Sequence, residues 1–123
     1  MKRVPGRVLI VDDEPLVCGL LLDYLATLFS EVTTATSGPD ALRIVRVFQP
    51  DVILTDMMMP GMSGADLLDA LRQVGVTVPV ILMSGKPITL PEGFSRLLRK
   101  PFDLREAADA VTAALHQGRT ERD

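Results

Sequence analysis

Five polar residues of this chain are of the types that handle phosphate and divalent metal, and each stands at the end of a short apolar run. Asp12 and Asp13 follow VLIV, Asp56 follows VILT, Ser84 follows the run from Val78 to Met83, and Lys100 follows RLLR. Three carboxylates brought to one point would bind a hard divalent cation through oxygen. Mg²⁺ suits such a group, since it takes one or two carboxylates together with waters and a phosphate. The cation would offset their mutual repulsion; without it, one carboxylate should hold its proton more tightly. A lysine ammonium is a compact point charge suited to a phosphate oxygen, and a serine hydroxyl can donate to the same group. A carboxylate is also a competent nucleophile toward phosphorus. The set reads as phosphoryl transfer onto an aspartate, driven by positioning and charge neutralisation.

These residues converge only if the runs are strands of one sheet. Arg7–Val11 is apolar on consecutive residues, as expected of a strand covered on both faces. Pro15 stands where a helix can begin, and Val17, Leu21, Leu25 and Leu28 follow at helical spacing. Gly19 within that helix costs about 1 kcal/mol relative to Ala. Glu31–Ala35 is short and β-branched, a second strand. Ser37 caps the next helix, with Pro39 in its first turn and Asp40 three residues on. That helix turns Ala41, Val45 and Phe48 inward and stops before Pro50. Val52–Thr55 is the third strand, and the PGMSG loop leads to the helix ADLLDALRQ. Val78–Met83 and Arg96–Arg99 are the fourth and fifth strands. Asp103 caps a last helix, with Glu106 at the partner position of a capping box. Leu104, Ala107, Val111 and Leu115 form its inner stripe, and Gly118 is expected to end it. The domain is thus expected to span 1–118, with 119–123 a solvated tail. Strands alternating with helices predict an α/β fold, a parallel sheet with helices on both faces and right-handed crossovers. Ligands in such a sheet sit beyond the carboxyl ends of the strands, where all five polar residues fall.

The 123 residues suit one domain, long enough to bury a core without disulfides. The single cysteine, Cys18, fits a reducing compartment and is expected to pack as a small hydrophobe. No run approaches the ~18 apolar residues that span a bilayer, and the start MKRVPGRV has no signal-peptide stretch. A net charge of −3 with scattered basic residues, and no Trp, argues against nucleic acid as direct partner. The expectation is a soluble cytoplasmic protein, with no membrane contact. Met57–Met59 suggests soft-metal chemistry, but no second sulfur or histidine cluster accompanies it; Met more often fills gaps. The one histidine, His116, near the end of the last helix, is a poor candidate for a base.

The pieces VLIVDDEP, SGPDAL, PDVILTDMMMPGMSGADLL, ILMSG and LLRKPF occur in this order at these strand ends. Together they resemble the receiver domain of two-component response regulators over nearly the whole chain. The resemblance implies a single-domain, doubly wound, five-stranded parallel sheet of flavodoxin-like order 2-1-3-4-5. It implies Asp56 as phosphoacceptor, with Asp13 and Asp56 as direct Mg²⁺ ligands and Asp12 acting largely through water. The backbone carbonyl of Met58 would be the third direct ligand. Ser84 would be the switch hydroxyl that turns toward the phosphoryl group, and Lys100 the lysine that pairs with it. A cis Lys100–Pro101 bond is also implied. The donor would be a histidine kinase or histidine phosphotransfer protein, and the readout binding of a downstream protein by a monomer or weak dimer. The chain would be a regulatory domain and not a turnover enzyme.

Rival readings can be weighed on the residues. A phosphatase of the haloacid dehalogenase type needs a second Asp two residues after its nucleophile, where this chain has Met58. A flavodoxin wants a Ser/Thr/Gly phosphate loop after the first strand, whereas DDEP would repel a phosphate. A non-phosphorylated pseudo-receiver, used as an interaction module, is the remaining alternative and would be expected to lack a key residue; none is missing. Leu20 and Leu22 flank the first helix's inner stripe, so one or both should be partly exposed as a kinase-docking surface, or else pack against the last helix. Typical members of that family carry a full fourth helix between strands four and five, and an aromatic three residues before the lysine, where this chain has Leu97. Here that stretch is KPITLPEGFS, with Pro87, Pro91, Gly93 and the β-branched Ile88 and Thr89. The fourth helix is therefore expected to be shortened or absent, with the 86–94 loop responding to Ser84.

Overall fold

Val8–Val11, Val52–Leu54 and Val80–Met83 are almost wholly shielded from solvent, which strands achieve only when helices cover both faces of their sheet. The computed structural model describes residues 2–122, with side chains described through Gln117. Strands β1 (Val4–Val11), β2 (Phe29–Ala35), β3 (Val52–Asp56), β4 (Val80–Ser84) and β5 (Arg96–Arg99) form one parallel sheet in the order β2-β1-β3-β4-β5. This is the order expected.

Alternate residues of each strand face opposite ways, and the core divides accordingly. Helices α1 (Pro15–Leu25) and α4 (Leu104–Arg122) share one buried cluster with Val8, Ile10, Leu54 and Met83, contributing Cys18, Leu21, Leu25, Ala107 and Val111. Helices α2 (Gly38–Phe48) and α3 (Gly64–Gln73) share the other with Leu9, Val11, Ile53 and Leu82, contributing Ala41, Val45, Leu67 and Leu71. Each such Leu or Ile contributes roughly 1.5–3 kcal/mol by its burial. Side-chain caps fix three helix starts. Ser37 accepts the Asp40 N–H at 3.2 Å, Ser63 and Asp66 form a reciprocal box, and Asp103 accepts the Glu106 N–H at 2.8 Å. The α1 start has no side-chain cap and uses Pro15 in its first turn.

Boundaries differ from expectation where local chemistry decides them. Sheet pairing reaches back to Val4, with an irregularity between Val4 and Arg7. β4 begins at Val80 and not Val78, since Pro79 has no N–H for the ladder. Leu28 lies beyond α1 and is partly buried. α4 continues through Gly118 to Arg122; whether the side chains of 119–123 are solvated lies outside the described residues. Among the described residues, no helix stands between β4 and β5, as the prolines of that stretch predict. Phe94 instead enters the buried cluster of α2 and α3 from the loop. The Lys100–Pro101 bond is cis. No helix among the described residues is long and apolar enough to cross a membrane.

Candidate functional site

Register brings the polar strand ends together. Val11 of β1 pairs with Thr55 of β3, Asp56 pairs with Met83 of β4, and Ser84 pairs with Arg99 of β5. Asp12, Asp56, Ser84 and Lys100 therefore gather at one edge of the sheet. Carboxylate oxygens of Asp12, Asp13 and Asp56 lie within 4.8 Å of one another. Asp12 is completely buried, Asp56 nearly so, and Asp13 is partly exposed. Lys100 reaches across from β5, with Nζ 3.0 Å from Asp56 Oδ1 and 3.4 Å from Asp12 Oδ2. The backbone N–H of Glu14 donates to Asp12 Oδ1 at 3.0 Å. The Cys18 thiol donates to the Asp12 carbonyl at 3.2 Å, so this buried cysteine also braces the first strand end.

Three carboxylates face one ammonium, and burial sharpens the imbalance. Burial pushes the Asp12 carboxyl above the usual carboxylate range; the Glu14 N–H draws it down and the Asp56 charge pushes it up again. Burial alone would lower Lys100, but its bonds and charge interactions with Asp56 and Asp12 outweigh that and hold the ammonium above the usual lysine value. Burial raises the Cys18 thiol, which keeps it protonated and unreactive. The donors are charged, all oxygen, and short of positive charge. That chemistry fits a hard divalent cation and not a soft one, and the group could hold a metal ion.

The loop after β3 is held close to the site. Met57 N–H donates to the Met83 carbonyl at 2.9 Å, and Gly64 N–H donates to the Met57 carbonyl at 3.0 Å. A Cβ on Gly64 would lie 2.6 Å from the Asp56 carbonyl oxygen, so only glycine fits there. Nothing in the sequence singles out Gly64 among the glycines of PGMSG, because the requirement is a tertiary approach. Met58 follows on this loop with its side chain largely exposed, while Met59 is buried in the core as a gap filler. Ser84 is 1% exposed. Its hydroxyl accepts the Lys86 N–H at 3.0 Å and donates to the Lys86 carbonyl at 3.3 Å. It thus engages its own loop.

The apolar rim of α1 is divided. Leu20 is 53% exposed, Leu22 packs partly against the α1–α4 cluster, and Leu16 is 75% exposed. Leu16 is missed by a reading that follows only the stripe; its place directly after Pro15, outside the 17/21/25 spacing, is the signal for it.

A family model described as the response regulator receiver domain matches residues 8–112. Among curated proteins, the sensor histidine kinase RcsC of Escherichia coli is 35% identical over 94% of this chain and 13% of the kinase. The probable transcriptional regulatory protein TcrX of Mycobacterium tuberculosis is 33% identical over 95% of this chain and 54% of that protein. The chain thus spans little more than half of one relative and a small part of the other. Among solved structures, the receiver domain of the Francisella response regulator 1452 superposes with a TM-score of 0.83 at 28% identity, covering 91% of this chain and 98% of that one. The response regulator TrrA of Thermotoga maritima, in complex with Mg²⁺–BeF, gives a TM-score of 0.78 at 26% identity, covering 89% and 98%.

Proposed function

The chain belongs to the response regulator receiver domain family, and on that premise we propose that it accepts a phosphoryl group on Asp56 from a phosphohistidine. The donor is a histidine kinase or histidine phosphotransfer protein. Asp12, Asp13, Asp56 and the backbone carbonyl of Met58 would hold Mg²⁺. The reading is carried by one observation: the nearly buried Asp56 carboxylate, grouped with two other carboxylates, has the Lys100 ammonium 3.0 Å from its Oδ1.

A carboxylate oxygen of Asp56 forms the new P–O bond as the P–N bond to the donor imidazole breaks, and the nitrogen keeps the electron pair. Lys100 stands where it can pair with a phosphoryl oxygen, and its raised pKa keeps it charged at neutral pH. When bound, Mg²⁺ supplies positive charge to the phosphoryl oxygens and to the acidic cluster. Asp12 and Asp13 do no bond making; they place that charge beside Asp56. Ser84 lies on the strand beside Asp56 and can give its proton to a phosphoryl oxygen. The altered surface then binds a downstream protein partner in the cytoplasm, and the domain regulates instead of turning over a substrate.

Acetyl phosphate with Mg²⁺, followed by intact mass measurement, tests this. Wild type should gain one phosphoryl group and Asp56→Asn none, and wild type without Mg²⁺ should gain none. Gain in neither protein, or equal gain in both, overturns the reading in favour of a non-phosphorylated interaction module or another acceptor.

A further inference from the structure

Val52, Ile53 and Leu54 are apolar and wholly buried, and Thr55, equally buried, brings a hydroxyl into the core where a valine of the same shape would pack. A buried hydroxyl is costly unless it is hydrogen-bonded. This one donates to the main-chain carbonyl of Asp56 at 3.0 Å. The nitrogen of the same peptide, that of Met57, donates to the Met83 carbonyl at 2.9 Å. Gly64 at the start of α3 closes on the peptide oxygen so tightly that a Cβ there would lie 2.6 Å away. The Asp56–Met57 peptide is thus fixed at its oxygen, at its nitrogen and by the bulk of a helix start. Asp12 is held in a parallel way. Its N–H donates to the Ala35 carbonyl at 3.1 Å, its carbonyl accepts the Cys18 thiol at 3.2 Å, and its Oδ1 accepts the Glu14 N–H at 3.0 Å. The thiol lies farther from the Ala35 carbonyl, at 3.9 Å, so its proton serves Asp12. Each buried aspartate of the site therefore has its main-chain carbonyl gripped by a buried side-chain donor.

We propose that Thr55 is a positioning residue for the acceptor: its hydroxyl fixes the Asp56–Met57 peptide and, with the matching Cys18 contact on Asp12, sets the spacing of the two buried carboxylates before a metal or a phosphoryl group arrives. The inference rests on Asp56 being the phosphoacceptor beside a bound Mg²⁺. Two carboxylates at close range repel, and Lys100 between them offsets only part of that repulsion. Strand ends are where a sheet yields most readily, because the ladder stops there. A hydroxyl and a thiol on the two carbonyls supply the restraint that the ladder no longer gives. Mg²⁺ demands near-ideal octahedral geometry, so a small swing of either aspartate is felt in its affinity. The loop that carries Met58 also leaves from the Asp56–Met57 peptide, so the same hold places the Met58 carbonyl. Thr55 touches neither metal nor phosphate in this scheme; it acts through the main chain of Asp56. A site whose groups are already in place spends less binding energy on ordering them.

Thr55→Val keeps the shape and deletes the donor, and Thr55→Ser keeps the donor. Three measurements on each test the hold: amide hydrogen exchange without metal, the Mg²⁺ Kd of the folded protein by calorimetry, and intact mass after acetyl phosphate. Thr55→Val should speed exchange at Met57 and raise the Mg²⁺ Kd, each at least about threefold, the scale of one lost hydrogen bond. Labelling at Mg²⁺ well below its Kd should slow by the same factor. Thr55→Ser should keep wild-type values in all three. Cys18→Ala should likewise raise the Kd, and should speed exchange at Glu14 instead of Met57. If Thr55→Val speeds exchange at Met57, Ile53 and Ile81 alike and leaves the Kd unchanged, Thr55 is merely structural and the proposal is overturned. If Thr55→Ser behaves as Thr55→Val does, the effect belongs to the lost methyl group and the proposal is again overturned. An unchanged Kd in Cys18→Ala removes the matching hold on Asp12 and overturns the claim that the two contacts set the spacing. If wild type gains the phosphoryl mass while Thr55→Val equals it in Kd and labelling, the hold is wrong and the phosphoacceptor reading stands. If wild type gains no mass, that reading falls and this inference falls with it.

Discussion

Lys100 lies nearer to Asp56 than to Asp12, 3.0 Å against 3.4 Å, and so one ammonium serves as counter-charge to two buried carboxylates. Removing it leaves both without a cationic partner, and an unpaired buried charge is strongly destabilising. Lys100 is about a quarter exposed, which screens part of the effect. Lys100→Met is expected to lower unfolding free energy in Mg²⁺-free buffer by about 1–3 kcal/mol and to reduce acetyl phosphate labelling at least tenfold. The pH dependence has a definite sign. A lysine held above its ordinary value of 10.5 gives stability that is full below that value and is lost as pH rises through the folded one. Urea titrations of the two proteins should differ at neutral pH and draw together above pH 10.5. A constant difference throughout refutes the assignment.

Asp12 carries the opposite liability. Its pKa is raised above the ordinary 3.8, chiefly by burial. A carboxyl shifted upward is stabilising below 3.8, and that contribution is lost as pH rises through the folded value. At neutral pH without metal, the charged side chain therefore strains the fold. Asp12→Asn keeps an acceptor for the Glu14 N–H and should stabilise the metal-free protein by on the order of 1 kcal/mol. Wild type should gain about 2.7 kcal/mol at a Mg²⁺ concentration 100 times its Kd, and the variant less. Destabilisation by Asp12→Asn in Mg²⁺-free buffer contradicts this account.

Much of this site is legible in the sequence for a physical reason. A parallel strand covered on both faces must be written as an unbroken apolar run, so Asp12, Asp56 and Ser84 stand out as the polar residues that follow. The missing fourth helix is equally plain from Pro87 and Pro91, which cannot donate and clash with a preceding turn. The direction of the Ser84 hydroxyl is not legible, because it depends on a rotamer choosing between a nearby carbonyl and a neighbouring strand. Nor is the true end of α4. Gly118 stops a helix only if the chain beyond it turns away, and Arg119, Glu121 and Arg122 are good helix formers that outweigh a cost of about 1 kcal/mol for the glycine.

The exposed rim of α1 makes a separate prediction. Leu16 and Leu20 are 75% and 53% exposed, on the helix that begins three residues past Asp12, whereas Leu22 packs partly inward and is the poorer probe. Exposed apolar groups beside a reactive edge suit a protein partner. The double variant Leu16→Ser, Leu20→Ser should slow transfer from the phosphorylated cognate kinase at least about tenfold, the effect of losing roughly 1.4 kcal/mol of contact. Labelling by acetyl phosphate should be unchanged. Equal loss with both donors shows a folding defect in place of a docking surface.

Phe94 offers the last test, because without a fourth helix a single loop residue seals that side of the core. The ring is 7% exposed and belongs to the cluster that contains Leu68, Leu71 and Leu82. It reaches that position directly after Gly93, whose φ of 92° turns the chain inward. Truncating a buried Phe removes its transfer free energy and leaves a cavity, together about 3–5 kcal/mol. Phe94→Ala should therefore lower unfolding free energy by about 3 kcal/mol, whereas Leu90→Ala, at a residue 46% exposed, should change it little. Phe94 belongs to the apolar cluster of α2 and α3 and not to the acidic group of Asp12, Asp13 and Asp56, so folded Phe94→Ala should still take up a phosphoryl group from acetyl phosphate. Urea denaturation supplies the first quantity and intact mass the second. A cost no larger than that of Leu90→Ala would mean that the loop is not sealed by this ring, and that something other than Phe94 holds the far end of the 86–95 segment to the sheet.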